Sequence, residues 1–390
     1  MGRRLVIGDI RVQEVVRGDG RLEYTVMDDS GDTYETPDQY LRTLTVGTAR
    51  TYAYMLVDHL RWLRFEGLKI ETVAFFDLER YMGAVGAEVA GPFGRPWRPD
   101  REPYGQSALE VAAACLKGFY VHQARRGVNL DLAKVLNGTK LPTTADRRRS
   151  FLGHTLTSMP ANPLTPRRTV HRRHPKMLPE GAQKELPGTL RWARDRMIVQ
   201  WLGDGGFRIG EVCGFHLVDL HLREGAACGE CTAPHVHICH RELNANRSRV
   251  KVKDPWKLQR GVITGGTIRR VSPAMIHTYF EYMTTQYPAE AQHGMLVVQL
   301  HGPHVGEPLS TAAARGMLRR AGIRLDLGHI LPKEFRHTFT SKVLDKAGGN
   351  SMIAKEAGGW RSAAMVDEVY GHVDLHDPRF VAALDRTWGK

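Results

Sequence analysis

The sequence predicts a mainly α chain with a small antiparallel β-sheet (α+β) confined to its second half, preceded by a helical N-terminal domain. Three observations carry this reading. Apolar residues recur at three- and four-residue steps between 37 and 145, and again from 191 onward, which is the period of a helix with one buried face. Strand-like alternation is concentrated in 235–271, apart from a weak stretch near the N-terminus. A stretch rich in Pro and Arg at 146–177 separates the two helical regions. A chain of 390 residues has room for two or three domains, each with its own core.

Residues 1–36 alternate weakly, as in Leu22-Glu-Tyr24-Thr-Val26, and are expected to form an arm or hairpin turning at Gly18 and Gly20. Tyr52, Leu56, Leu60 and Leu63 then mark one helix face, and Gly67 ends that helix. A second helical stretch covers 76–81, the Pro- and Gly-rich segment 90–105 reads as a loop, and Leu109, Ala113, Leu116 and Tyr120 stripe a helix over 107–126. Residues 37–145 are therefore expected to be an all-helical domain. In 146–177, Arg147-Arg-Arg149, Arg167-Arg168 and His171-Arg-Arg-His174 sit among Pro160, Pro163, Pro166 and Pro175. That composition predicts an extended basic linker suited to tracking a phosphate backbone.

A second domain is expected over 178–390. Ala193, Met197, Ile198 and Trp201 stripe a helix that stops at Gly203-Asp-Gly-Gly206, and a short helix follows over 208–215. His235-Val-His-Ile-Cys239 and Val250-Lys-Val-Lys253 alternate as strands. Residues 273–287 and 310–321 are helical, and Pro332 opens the closing helices as a first-turn proline.

The charge narrows the function. There are 55 Lys and Arg against 42 Asp and Glu, a net +13. Such a balance favours a polyanion, because basic side chains displace condensed counterions from phosphate. No apolar run reaches the roughly 18 residues of a membrane span, and Met-Gly-Arg-Arg-Leu-Val lacks a signal-peptide core. A cytoplasmic, nucleic-acid-facing protein is expected. Cys115, Cys213, Cys228, Cys231 and Cys239 are an odd, uneven set, expected as reduced thiols. Cys228-Gly-Glu-Cys231 with His235, His237, Cys239 and His240 offers zinc ligands, but no second pair stands at the usual distance. No metal ligand and no cofactor is assigned.

The chemistry concentrates at the C-terminal end. Lys333 and Arg336 lie three residues apart on one helix face, while Phe335, Phe339, Val343 and Ala347 are expected to face the core. Gly348-Gly349 ends that helix, Asn350 or Ser351 caps the next, and Gly358-Gly359 ends it before Trp360. Ser362 caps a last helix carrying Tyr370. Arg208 comes from Gly206-Phe-Arg-Ile-Gly-Glu211. Singly, each arginine reads as a salt-bridge partner, Trp360 as core and Tyr370 as a helix-surface residue. Together, two arginines and an isolated tyrosine suggest a site that clamps a phosphate and attacks it with a phenol oxygen.

That ordered set resembles the tyrosine recombinase (phage integrase) family over about 178–375. Gly206-Phe-Arg208-Ile-Gly-Glu211 looks like its first arginine box, and Lys333-Glu-Phe-Arg336-His337 like its second, usually written His-x-x-Arg-His. Gly358-Gly359-Trp360 looks like its third box and Tyr370-Gly-His-Val373 like its nucleophile segment. The family also uses a lysine on a β-hairpin. Lys251 and Lys253 share one face of the candidate strand, so pattern cannot choose between them; Lys251 is taken. Lys333 replaces the commoner histidine, which points to electrostatic support rather than general base, and Trp360 to Tyr370 is one residue longer than usual.

The resemblance implies a site-specific DNA recombinase whose core-binding domain is 37–145 and whose catalytic domain is 178–390. Tyr370 would form a covalent 3′-phosphotyrosine and free a 5′-hydroxyl. Arg208, Arg336 and Trp360 would hold the non-bridging oxygens, and Lys251 would protonate the leaving oxygen. His337 and His372 would have secondary roles, and Glu211 would brace an arginine. No ATP and no metal is implied; the partners are double-stranded DNA, a homo-tetramer on paired sites, and accessory DNA-bending or directionality proteins. A C-terminal helix with Phe380, Val381, Leu384 and Trp388 is expected to pack on a neighbouring protomer. The alternatives are a non-catalytic DNA-binding regulator on the same fold and a type IB topoisomerase-like enzyme.

Overall fold

An antiparallel hairpin, β1 (Arg11–Val16) and β2 (Leu22–Met27), opens the first of two compact units, Met1–His171 and Arg172–Lys390. The computed structural model describes residues 9–86, 102–150, 152–166, 175–251, 254–370 and 378–388. Gly20 turns the hairpin at φ +78°. Ile10, Tyr24 and Val26 are buried in one core with the helices that follow. From residue 10 onward the expected arm is thus part of the unit, because full burial of such side chains is worth about 1.5–3 kcal/mol each.

The helices are α1 (Glu35–Leu41), α2 (Val46–Phe65), α3 (Phe75–Gly86), α4 (Gln106–Ala124) and α5 (Leu130–Leu136). In α2 the stripe Ala53, Leu56, Leu60 and Leu63 is buried, and Gly67 follows at φ +69°. α4 buries Ala113, Leu116 and Tyr120. His59 of α2 faces the Tyr120 hydroxyl at 2.7 Å, and its burial pushes the imidazole down to about 3, so it is a neutral core residue.

The stretch expected as an extended linker has structure of its own. β3 (Thr139–Lys140) pairs with β4 (Met159–Pro160), and Thr143 caps α6 (Thr144–Arg149) between them. Leu164 enters the core, and Asn162 Nδ2 donates to the Ala113 carbonyl at 2.8 Å. Arg167, Arg168 and 171–174 lie outside the described residues, as does most of the loop read at 90–105.

The second unit begins with α7 (Ala182–Glu185), α8 (Ala193–Gly205) and α9 (Ile209–Val212). A small antiparallel sheet follows, made of β5 (Leu220–His221), β6 (His235–Ile238) and β9 (Thr267–Arg270) in the order β5-β6-β9. Between β6 and β9 in the chain lies the hairpin β7 (Trp256–Gln259) and β8 (Val262–Gly265). Then come α10 (Pro273–Thr285), α11 (Thr311–Arg324), α12 (Pro332–Lys346), α13 (Ser351–Gly358), α14 (Ala363–Tyr370) and α15 (Pro378–Thr387). This is the expected α+β arrangement. Trp201, Phe207 and Phe215 pack edge to face at its centre, and Trp201 Nε1 donates to the Met275 carbonyl at 3.0 Å. No helix among the described residues is long and apolar enough to cross a membrane.

Two local expectations are corrected. The run before Lys251 is irregular, not a strand. Asn244 Nδ2 donates to Ser248, and Asn246 Nδ2 donates to the carbonyls of Cys213 and Leu309, both at 2.7 Å. Side-chain amides therefore take up backbone acceptors that a ladder would need. In α12 the buried row is Arg336, Thr340 and Leu344 with Phe335, whereas Phe339, Val343 and Ala347 are only partly covered. Leu344 joins Ala354, Val366, Trp360 and Tyr370 in a small second cluster, which turns the arginine's face inward.

Candidate active site

Each arginine is fixed by the turn that presents it. Arg208 precedes α9, and Glu211 at the third helical position accepts from its backbone N–H at 2.9 Å and from its Nη1 at 2.6 Å. Glu211 is 1% exposed while the Arg208 side chain is 32% exposed, so the pair braces a guanidinium at the protein surface. Arg336 lies deeper: Nη1 donates to the Gly206 carbonyl at 3.1 Å and Nη2 to that of Gly359 at 2.9 Å. Its guanidinium carbon stands 4.8 Å from the Trp360 ring centre.

A third arginine, not anticipated from the sequence, completes the group. Arg269 on β9 is buried, and its Nη2 donates to the Gly205 carbonyl at 3.0 Å. Arg269 and Arg336 thus tie the Gly205–Gly206 turn to the Gly359 turn. Both positions favour glycine. A Cβ on Gly359 (φ +61°) would lie 2.5 Å from Arg269 Nη1, and one on Gly206 (φ +56°) would lie 2.3 Å from the Phe339 ring. Burial, then repulsion from Arg208, pushes Arg336 down to about 9; burial pushes Arg269 down to about 10, with Glu211 opposing. Among the described residues, Glu211 and, more weakly at Arg269, Glu356 are the acidic groups that offset this positive charge, a field that an anion would relieve.

Asn350 caps α13 through Met352 N and Ile353 N, Gly359 ends it, and Ser362 Oγ accepts from Met365 N to start α14. These turns set Trp360 edge-on to Tyr370, with ring centres 5.7 Å apart. The Trp360 indole N–H is used within the fold, donating to Thr340 Oγ1 at 3.0 Å. The Tyr370 hydroxyl lies 2.5 Å from His337 Nδ1. Burial pushes the Tyr370 phenol up to about 12, against the pull of Thr340 and Arg336. Burial, with Lys333 and Arg336 nearby, holds His337 below the ordinary histidine range, so at neutral pH it is an uncharged partner able to accept the phenol proton.

Lys333 is exposed one turn before His337, where its charge reaches that imidazole. Lys251 is exposed at the end of the irregular run, just after the buried Val250. That run crosses α9 so closely that a Cβ on Gly210 would meet the Arg249 carbonyl at 2.7 Å. Lys253, His372 and Val373 lie outside the described residues. Arg269 escaped notice because an arginine in Thr-Ile-Arg-Arg looks like a solvent-facing strand residue; only its pairing with Val236 shows that it points inward.

Of the sequence's candidate metal ligands, Cys231 Sγ turns to the Ala233 carbonyl at 3.5 Å and His240 Nδ1 to that of Val250 at 2.6 Å. Cys239 is buried beside Gly266. His235 and His237 instead meet Cys228 and His221, an earlier residue that the spacing did not single out.

Comparison with known proteins bears on the same region. Residues 236–376 match the model of the Phage integrase family. Transposase A from transposon Tn554 of Staphylococcus aureus is 22% identical over 179 residues, 45% of this chain and 43% of that one. The match thus spans less than half the length of that curated relative. Among solved structures, the Tn1549 transposon integrase in complex with transposon right end DNA superposes with a TM-score of 0.54 at 14% identity, covering 91% of this chain and 99% of that one. The XerH site-specific recombinase bound to palindromic difH substrate gives 0.53 at 12% identity, covering 90% and 82%. At those identities the superpositions speak for a shared fold. Residues 236–376 are thus similar to the Phage integrase family, and the second unit shares a fold with these recombinase structures.

Proposed function

We propose that this protein is a site-specific DNA recombinase that cuts and rejoins strands through a covalent 3′-phosphotyrosine. The observation that carries the proposal is the approach of Tyr370, hydrogen-bonded to an uncharged His337, to a group of arginines with little internal compensation. A scissile phosphodiester supplies the missing negative charge. Its non-bridging oxygens are held by Arg208 and Arg336, whose fixed guanidinium planes favour the pentavalent transition state. Trp360 contributes through its ring beneath Arg336, and its indole N–H turns from Thr340 to an oxygen if the turn relaxes on DNA. Lys333 adds positive potential.

Attack by the Tyr370 oxygen forms the phosphotyrosine, the phenol proton passes to His337, and Lys251 protonates the departing 5′-oxygen. The phosphodiester energy stays in the phosphotyrosine, so the 5′-hydroxyl of a partner strand reverses the step without ATP. The similarity to a transposon transposase and a transposon integrase supports assigning this reaction to a mobile element. Double-stranded DNA, a homo-tetramer on paired sites, accessory DNA-bending or directionality proteins, a DNA-binding role for 37–145 and a cytoplasmic location belong to this reading. So does packing of α15 on a neighbouring protomer, where Val381 and Trp388 are exposed.

The test is trapping on nicked duplexes carrying the ends of the genetic element that encodes the protein. The expected result is an SDS-stable protein–DNA adduct with the wild type and none with Tyr370→Phe. Tight binding without an adduct on any end would instead establish a non-catalytic DNA-binding regulator. Relaxation of supercoils without joining of two sites would establish a topoisomerase.

A further inference from the structure

A second cluster of titratable side chains lies on the β5-β6-β9 sheet, outside the arginine–tyrosine site. Residues directly opposite in an antiparallel pair share a face, as do residues two apart on one strand. The register pairs His221 with His235, so His221, His235 and His237 all face the same way. Their ring centres lie 4.9–5.0 Å apart. The connection between β5 and β6 folds back over them and delivers Cys228, whose Sγ is 3.2 Å from His235 Nε2. One ligand atom from each of the four residues falls within 4.8 Å of the others.

The hydrogen bonds around the cluster fix how it is protonated. His235 Nδ1 faces the Ala233 carbonyl and His237 Nδ1 the Gly265 carbonyl, each at 2.7 Å. A carbonyl oxygen only accepts, so both Nδ1 atoms carry the proton and, in the neutral rings, both Nε2 atoms carry lone pairs. Those two Nε2 atoms face each other at 3.2 Å, inside residues with no solvent exposure. The buried Nε2 of His221 has no hydrogen-bond partner. A thiol has one proton and cannot satisfy three nitrogens. Lone pairs converging in a dry site call for a cation.

We propose that His221, Cys228, His235 and His237 bind one structural Zn²⁺. Three imidazoles and a thiolate are borderline-soft donors that select zinc over magnesium or calcium. Zn–N bonds of about 2.0–2.1 Å and a Zn–S bond of about 2.3 Å place tetrahedral ligands roughly 3.3–3.6 Å apart. Two of the separations, Cys228–His235 and His235–His237, are 3.2 Å, close to that spacing, and all four ligand atoms lie within 4.8 Å of one another. The carbonyls on both Nδ1 atoms are the outer partners that orient metal-bound imidazoles. Glu230 braces the shell, accepting from Gly265 N at 2.9 Å and standing 3.7 Å from His237 Nδ1. Four protein ligands leave no open position, so the ion holds structure. It fastens the loop between β5 and β6 onto the strand whose Val236 pairs with Arg269 of the arginine cluster.

The test uses the purified full chain without activity as readout. Elemental analysis by mass spectrometry is expected to find about one zinc per chain, the stoichiometry of a closed four-ligand site. Exchange for Co²⁺ is expected to give tetrahedral d–d bands and a sulfur-to-cobalt charge-transfer band. Cys228→Ser should abolish the charge-transfer band, His237→Ala should release the metal, and Cys231→Ser should leave both bands unchanged. Metal-free wild type that takes up neither zinc nor cobalt would overturn the proposal and leave a proton-bridged imidazole pair. Loss of the thiolate band in Cys231→Ser instead of Cys228→Ser would overturn the ligand set.

Discussion

The second unit contains two clusters of like-behaving side chains, and each is incomplete in the opposite sense. Around Gly359, Arg208, Arg269 and Arg336 gather positive charge against Glu211, and burial pushes two of them down to about 9 and about 10. On the far face of the same sheet, imidazole nitrogens gather lone pairs that the one thiol proton of Cys228 cannot all satisfy. On the readings proposed above, an anion would complete one cluster and a cation the other. The first is open to solvent at Arg208 and has the Tyr370 phenol beside Arg336; the second has two histidines fully buried and His221 partly so. The difference teaches how to tell a site that transforms something from one that holds something: the former keeps an exposed charged edge, the latter spends every donor inward.

Substitutions at the arginine–tyrosine cluster affect chemistry first and stability second. Tyr370→Phe removes the proposed attacking oxygen and is expected to lower strand cleavage by on the order of 10⁴-fold or more, the scale of nucleophile loss. DNA binding by gel shift should be unchanged. Arg336→Ala is expected to cost about 10²–10³-fold in the cleavage rate, the scale for losing one preorganised donor. It also uncaps the Gly206 and Gly359 carbonyls, so a lower melting temperature should accompany it.

His337→Gln is expected to lower cleavage by about 10²-fold, as for a lost general base. The sign of the pH dependence follows from its environment. Burial and the neighbouring Lys333 and Arg336 depress the imidazole, so it stays uncharged through neutral pH and is protonated only below the ordinary histidine range. The wild-type rate should therefore fall on acidification with a midpoint below that range, and His337→Gln should lose that acid limb. An acid limb that persists in His337→Gln would assign the proton to another group. Gly359→Ala is the mildest change. At φ +61° and with Arg269 in the way, it is expected to destabilise the unit by about 1–3 kcal/mol, measured by denaturant unfolding.

Legibility in the sequence followed the range of the interactions. Features set within one helix or one turn were readable: the α2 stripe, Pro332 opening α12, Asn350 capping α13, and the glycines before Trp360. Glu211 bracing Arg208 is likewise a three-residue contact. Features set by strand register were not. Arg269 turns inward only through its pairing with Val236, and His221 joins the histidine face only through its pairing with His235. The strand expected over 250–253 lies partly outside the described residues; the run before it is irregular because Asn244 and Asn246 bond to the backbone themselves, a competition that alternation does not reveal. The early hairpin looked like an arm because its alternation is weak, yet Ile10 and Val26 are 2% and 0% exposed.

Mapping the residue that carries the DNA in a trapped adduct decides whether it is Tyr370. Trapped complex is digested with protease and nuclease, and the nucleotide-bearing peptide is sequenced by tandem mass spectrometry. The account predicts a nucleotide 3′-phosphate on Tyr370 and a free 5′-hydroxyl on the released strand, open to kinase labelling without prior phosphatase. A nucleotide on any other residue, or a 5′-phosphate joined to the protein, would contradict it.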